Sequence, residues 1–139
     1  MDCHTGQVLR WPLSRSCKAT TAAAALVQAL ITRHGGLARV PMPFLLRSDN
    51  GLVFTSRIYT RLVRSYGRRH STTPHCPQQS GVVECLTRSL KEQCVHRHRF
   101  ERQRHAMRDV ADWIQFYDHR RPHQAIGMKT HAEAYDLAA

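Results

Sequence analysis

The stretch that most limits what this chain can become is Leu45-Leu46-Arg47-Ser48-Asp49-Asn50-Gly51, read together with Gln78-Gln79-Ser80-Gly81-Val82-Val83-Glu84. The first predicts a buried apolar strand that ends on an acidic residue and a turn-forming Asn-Gly, setting a carboxylate at the strand's exposed C-terminal end. The second predicts a glycine-containing loop that opens a helix, with Glu84 in the first turn and Arg88 and Lys91 following at helical spacing. At roughly 100° per residue, Glu84, Arg88 and Lys91 share a narrow sector, while Val83, Leu86, Leu90 and Cys94 cluster about a quarter to half a turn away. One side suits a core and the other a charged ligand.

Carboxylates beside cations are the components of metal-dependent phosphoryl transfer. Hard oxygens hold Mg²⁺ or Mn²⁺, and Arg and Lys hold the phosphodiester. Taken singly, the motifs have plainer explanations: a turn at Asp49-Asn50-Gly51 and a favourable helix N-terminal charge at Glu84. The charge balance bears on the choice. The chain has 139 residues and a formal net charge of +11, from 21 Lys and Arg against 10 Asp and Glu. Such an excess favours a polyanion, with nucleic acid as the default partner over a generically basic or ribosome-associated protein. The 42% hydrophobic content is ordinary and the length is that of one domain. Cys3, Cys17, Cys76, Cys85 and Cys94 are odd in number and contain no C-x-x-C pair, so neither a disulfide framework nor a zinc finger is indicated. Cys94-Val95-His96-Arg97-His98 lacks the paired spacing of a zinc site and reads as a basic helix end. No stretch approaches the roughly 18 apolar residues of a membrane span, so no membrane partner is expected. A cytoplasmic, nucleoid-associated location is expected instead.

Along the chain, Gln7 to Pro12 predicts the second strand of a hairpin after the turn-prone Thr5-Gly6. Thr20 or Thr21 can cap a helix with Leu26, Val27, Leu30 and Ile31 as its apolar stripe, stopping at Gly35-Gly36. Ser56 predicts the start of a helix with Ile58, Leu62, Val63 and Tyr66 inward, Arg57, Arg61 and Arg64 outward, and Gly67 at its end. A solvated basic face explains those three arginines as readily as phosphate contact does. Ser71 to Ser80 reads as a loop, because Pro74 and Pro77 exclude a regular central strand. A later helix from about Gln103 to Tyr117 presents Met107, Val110, Ala111, Ile114 and Tyr117 on one side. Thr130 to Leu137 predicts a short final helix.

Taken in order, Asp49-Asn50-Gly51, Thr73-Pro74-His75-Cys76-Pro77-Gln78-Gln79-Ser80-Gly81-Val82-Val83-Glu84 and Arg88-Ser89-Leu90-Lys91-Glu92 resemble the integrase catalytic core of bacterial insertion-sequence transposases, related to retroviral integrases. Trp113-Ile114-Gln115-Phe116-Tyr117-Asp118 with Arg121-Pro122-His123-Gln124-Ala125-Ile126-Gly127 resembles the segment that closes that core. The resemblance covers essentially the whole chain, and the ordered succession is more specific than any one motif. It implies an α/β fold: an RNase H-like integrase core, a mixed sheet flanked by helices, over residues 1–127, with residues 128–139 as a C-terminal tail or short helix. It also implies a DDE triad in which Asp49 matches the second member and Glu84 the third, both as catalytic and metal-binding residues for Mg²⁺ or Mn²⁺. Met1 to Trp11 resembles the hairpin after the first catalytic strand, so Asp2 is not assigned to the triad. The chain is expected to be an N-terminally truncated fragment lacking the first strand.

The same resemblance implies DNA contacts by Asn50, Gln78, Gln79, Arg88, Lys91, Arg120 and Arg121. The implied partners are transposon ends and target DNA, with a homo-oligomer or an assembly with an intact transposase. Some positions depart from the family pattern. Asp49 and Glu84 are separated by 34 residues, one fewer than the pattern; Cys85 replaces a basic residue, Asp118 an Asn and His131 a Pro. The activity implied is Mg²⁺-dependent nicking of DNA by water, then attack of the freed 3′-hydroxyl on target DNA, with little activity expected of this chain alone. An alternative is a catalytically dead DNA-binding remnant that interferes with an intact transposase. RNase H-like cleavage of hybrids fits Tyr117 and Arg121-Pro122-His123 less well.

Overall fold

The computed structural model describes residues 1–40, 45–49, 51–66, 69–72 and 81–138. They fall into two compact units, one formed by Leu9–Gln79 and the other by Met1–Val8 with Ser80–Ala139.

In the Leu9–Gln79 unit, α1 (Ala19–His34) ends where the sequence places a left-handed residue. Gly35 has φ 70°, and its N–H donates to the Ile31 carbonyl at 2.8 Å. The helix starts one residue before Thr20, and Lys18 stands at its N-cap without a side-chain hydrogen bond, so the expected Thr cap is not made. Strand β1 (Leu45–Ser48) leads through α2 (Leu52–Thr55) and α3 (Arg57–Ser65) to β2 (Arg69–Thr72). The strands pair in parallel, with Leu45 opposite Arg69 and Ser48 opposite Thr72. Parallel pairing requires a crossover, which α2 and α3 supply.

Ser56 caps α3 as expected. Its Oγ accepts the Tyr59 N–H at 3.3 Å and donates to the Val53 carbonyl at 2.7 Å. Leu30, Val40, Tyr59 and Val63 are the buried apolar residues here, and the Phe54 ring meets Tyr59 edge to face at 5.2 Å. Val63 is buried as expected and Leu62 and Tyr66 are half-buried, but Tyr59 takes the inward place expected of Ile58, which is 55% exposed. The helix stops at Ser65 with Tyr66 as C-cap, ahead of Gly67, which lies outside the described residues. Strand β1 is not the fully buried strand expected. Leu45 and Arg47 are exposed while Leu46 and Ser48 are half-buried, the alternation of a strand with one covered face.

The other unit is built on α4 (Gly81–Gln93), α5 (Gln103–His119) and α6 (His131–Leu137), with Cys94, Val110, Ile114 and Tyr117 buried. Of the expected α5 stripe, Met107 is exposed and Ala111 half-buried. On α4, Val83 is exposed, while Leu86 and Leu90 are half-buried. Helix α6 begins with a capping box. Thr130 Oγ1 accepts the Glu133 N–H at 3.2 Å, and the Glu133 carboxylate accepts the Thr130 N–H at 2.8 Å.

Residues 1–8 complete this unit. The Asp2 carboxylate accepts the His4 and Thr5 N–H groups, and Gly6 N–H donates to the Asp2 carbonyl at 2.9 Å, making a closed turn. Buried Asp118 accepts the Val8 N–H at 3.1 Å, and buried His131 donates from Nδ1 to the Thr5 carbonyl at 2.7 Å. The strand expected at Gln7–Pro12 does not form, because the Val8 donor that a ladder would use is held by a side chain. Among the described residues the sheet has two parallel strands, and the mixed sheet is not seen. Two of the three residues read as departures from the family pattern, Asp118 and His131, are the ones that hold the N-terminal turn.

Burial pushes the Asp118 carboxyl above its ordinary value, against the Val8 hydrogen bond and the neighbouring His131 and His119. Burial, and then the charge of adjacent His131, pushes His123 below its ordinary value. The two imidazoles lie 3.7 Å apart, and Tyr117 contacts both. No helix among the described residues is long and apolar enough to cross a membrane.

Candidate functional site

Helix α4 carries three of the expected site residues, Glu84, Arg88 and Lys91. Glu84, Thr87, Arg88, Lys91 and Glu92 recur at three- and four-residue intervals, so they fall on one side of the helix. With His96, from the 3₁₀ turn Val95–Arg97 that follows, they line an open groove of about 480 Å³. Glu84 lies in the first turn, where the exposed N–H groups and the helix dipole favour a negative charge. The groove is thus acidic at its N-terminal end, cationic at Arg88 and Lys91, and mixed at Glu92 and His96.

The C-terminal end of α4 is tied to α5 through Gln93. Its Oε1 accepts from Trp113 Nε1 and from an Arg121 guanidinium N–H, each at 3.3 Å. Arg121 also sits 5.6 Å from the centre of the Tyr117 ring, and Trp113 stacks on Tyr117 at 5.0 Å. Arg121 therefore braces the helix that carries the groove, while Arg120 caps α5 and is exposed. His98 Nδ1 donates to the Cys94 carbonyl at 2.8 Å and Arg97 Nε to the Glu92 carbonyl at 3.1 Å, which supports the basic helix-end reading of that segment.

Asp49 follows β1, and its side chain is exposed. Its Oδ1 accepts the Gly51 N–H at 2.9 Å, an Asx turn that feeds the chain into α2 and leaves Oδ2 for another partner. A Cβ on Gly51 would stand 2.8 Å from that Oδ1, so glycine is what lets the turn close this tightly. Asp49 belongs to the Leu9–Gln79 unit and Glu84 to the other. Asn50, Gln78 and Gln79 lie outside the described residues.

The structure thus brings Glu84, Arg88 and Lys91 into one groove and adds Thr87, Glu92 and His96, which the sequence reading did not single out. The same helical spacing that grouped the first three would have found Thr87 and Glu92. His96 follows the helix and has no such signal. Among the described residues there is no group of three or more His, Cys, Asp or Glu that could hold a metal ion. Asp49 in one unit and Glu84 in the other each offer hard oxygens of the kind Mg²⁺ takes.

Comparison with known proteins shows what the chain is similar to. Residues 67–130, which span β2, α4 and α5, match the integrase core domain family. The catalytic core domain of BIV integrase has a similar structure, with a TM-score of 0.70 and 25% sequence identity over 96% of this chain and 80% of that one. Structural neighbours of this kind are retroviral integrase catalytic cores, which are RNase H-like.

Curated relatives narrow it. An uncharacterised 39.2 kDa protein of insertion element IS476 from Xanthomonas euvesicatoria is 31% identical over 86 residues, covering 61% of this chain and 25% of that protein. The transposase for insertion sequence element IS629 from Shigella sonnei is 26% identical over 135 residues, covering 96% of this chain and 44% of the relative. The chain is thus similar to insertion-sequence transposases with an integrase-like core, and it spans less than half the length of these two proteins.

Proposed function

We propose that this chain acts on DNA as the integrase-type core of a transposase, with the α4 groove as the place where the phosphodiester is held. The observation that carries the reading is that Glu84, Arg88 and Lys91 line a single groove. A groove serving only to dock a polyanion gains nothing from Glu84 and Glu92, which repel phosphate. A groove in which a phosphodiester is both held and processed needs cations to fix it and carboxylate oxygens close by.

Arg88 and Lys91 neutralise the non-bridging oxygens, Arg through a two-pronged contact and Lys as a point charge. Glu84 and Asp49 each present an oxygen of the kind a divalent cation, Mg²⁺ or Mn²⁺, would take. Among the described residues the carboxylates do not complete a cation site. The DNA partners are transposon ends and target, and Asn50, Gln78, Gln79 and Arg120 are further contacts in this reading. Further copies of the chain, or an intact transposase, are its protein partners.

The test is strand nicking of supercoiled and end-containing duplex DNA with Mg²⁺ or Mn²⁺, comparing the chain with Asp49→Asn and Glu84→Gln. Nicking by the parent that both substitutions abolish supports the processing role. DNA binding that survives both substitutions, without nicking by the parent, establishes instead a catalytically dead binding remnant able to compete with an intact transposase. Absence of DNA binding overturns both readings.

A further inference from the structure

We infer that the outward face of α3 is a second DNA-docking surface, one that grips the phosphodiester backbone without processing it. The inference rests on the reading that the chain acts on DNA, and deepens it by assigning a contact in the Leu9–Gln79 unit, remote in sequence from α4.

Arg57, Arg61 and Arg64 follow one another at four- and three-residue intervals, so their side chains share one side of α3. At a rise of about 1.5 Å per residue the row is roughly 10 Å long. Together with Thr60 these residues line a groove of about 220 Å³. The three arginines are exposed, whereas Tyr59 and Val63 on the same helix are buried, so the face is fixed outward by the core behind it. The Thr60 hydroxyl donates to the Ser56 carbonyl at 2.9 Å, which leaves the guanidiniums as the groove's donors.

Charge decides the occupant. Like charges one turn apart weaken a helix, and Arg57–Ser65 contains no acidic residue to offset them. Among the described residues no carboxylate lines this groove, in contrast to the α4 groove with Glu84 and Glu92. The compensating charge must come from a partner. A row of guanidiniums presents planar forks that match phosphate oxygens two at a time. Among the described residues no apolar side chain lines the groove, so they offer nothing to the acyl region of a lipid bilayer. DNA supplies closely spaced phosphates along a stiff edge, and the net charge of +11 steers the chain toward it.

The test is the salt dependence of binding to a short labelled duplex, measured on the full chain by fluorescence anisotropy between about 50 and 200 mM salt. Each phosphate contact contributes about 0.9 to the slope of log affinity against log salt. Replacing all three, Arg57→Gln with Arg61→Gln and Arg64→Gln, should flatten the slope by about 2.7. Over this salt range the parent should then lose about 40-fold more affinity than the variant. The single change Arg61→Gln should flatten it by about 0.9, and serves if the triple variant fails to fold. Arg10→Gln with Arg15→Gln and Arg39→Gln removes the same charge from exposed positions in the same unit and should leave the slope unchanged.

If that control flattens the slope as much as the α3 variant, diffuse attraction rather than a docking surface is at work and the inference falls. It falls equally if the α3 variant keeps the parent slope while Arg88→Gln with Lys91→Gln reduces it, an outcome that leaves the α4 reading standing. A slope lost from the α3 variant but kept by the α4 variant supports the docking surface and overturns the α4 groove. A parent without affinity for the duplex overturns both.

Discussion

Gly6 is the position where a single methyl group should do most damage. It has φ +80°, a backbone state that costs a residue with a Cβ about 1–2 kcal/mol. A Cβ there would also stand 2.5 Å from Nδ1 of His131, inside contact distance of a ring that is 7% exposed. The imidazole has to move, and the move breaks its 2.7 Å hydrogen bond to the Thr5 carbonyl. Leaving those buried polar atoms unpaired costs a further 1–3 kcal/mol or so. Gly6→Ala is therefore expected to lose roughly 2–5 kcal/mol in total, a large part of the stability of an ordinary domain.

The assay is urea unfolding followed by circular dichroism, run as a double-mutant cycle with His131→Ala. Removing the ring removes the collision, so Gly6→Ala in that background should cost only the backbone contribution of about 1–2 kcal/mol. Equal costs in the two backgrounds would show that Gly6 is not making room for His131. A cost under about 0.5 kcal/mol in the parent would refute the conformational argument as well.

Two further outcomes are expected. Ser56→Ala removes the oxygen that caps Tyr59 N–H and should lower stability by about 1 kcal/mol, read as a lower urea midpoint with an unchanged slope. Asp118 has its carboxyl raised above the ordinary 3.8 in the folded chain, so the folded state holds this proton more tightly than the unfolded one. Its contribution is complete below the ordinary value and is lost as pH rises through the raised value, by at most about 1.4 kcal/mol per pH unit. Asp118→Asn, which keeps an oxygen for Val8 N–H, should flatten the urea midpoint across that window, and an unchanged pH profile would refute the assignment.

Local signals in the sequence led to correct structure where the partner was also local. Ser56 reads as a cap because the N–H it accepts is three residues on, and Gly35 as a stop because the left-handed turn needs no distant neighbour. The charged side of α4 was legible for the same reason, since Glu84, Arg88 and Lys91 are grouped by helix geometry alone. The failures trace to long-range partners. Gln7 to Pro12 has the composition of a strand, but Val8 N–H finds Asp118, 110 positions away. Arg121 is expected as a DNA contact, and nothing local foretells that its guanidinium also meets Gln93 and Tyr117 on two different helices. Ile58 and Tyr59 are both large enough for a core, and only packing against Phe54 decides between them.

The bond from His131 to Thr5 joins residues 126 positions apart. During synthesis, the first turn leaves the ribosome long before its anchor has been made. It must wait, solvated and unclosed, until the 126 positions from Thr5 to His131 have been translated, and a chain stalled before His131 would leave Gly6 with nothing to fold against.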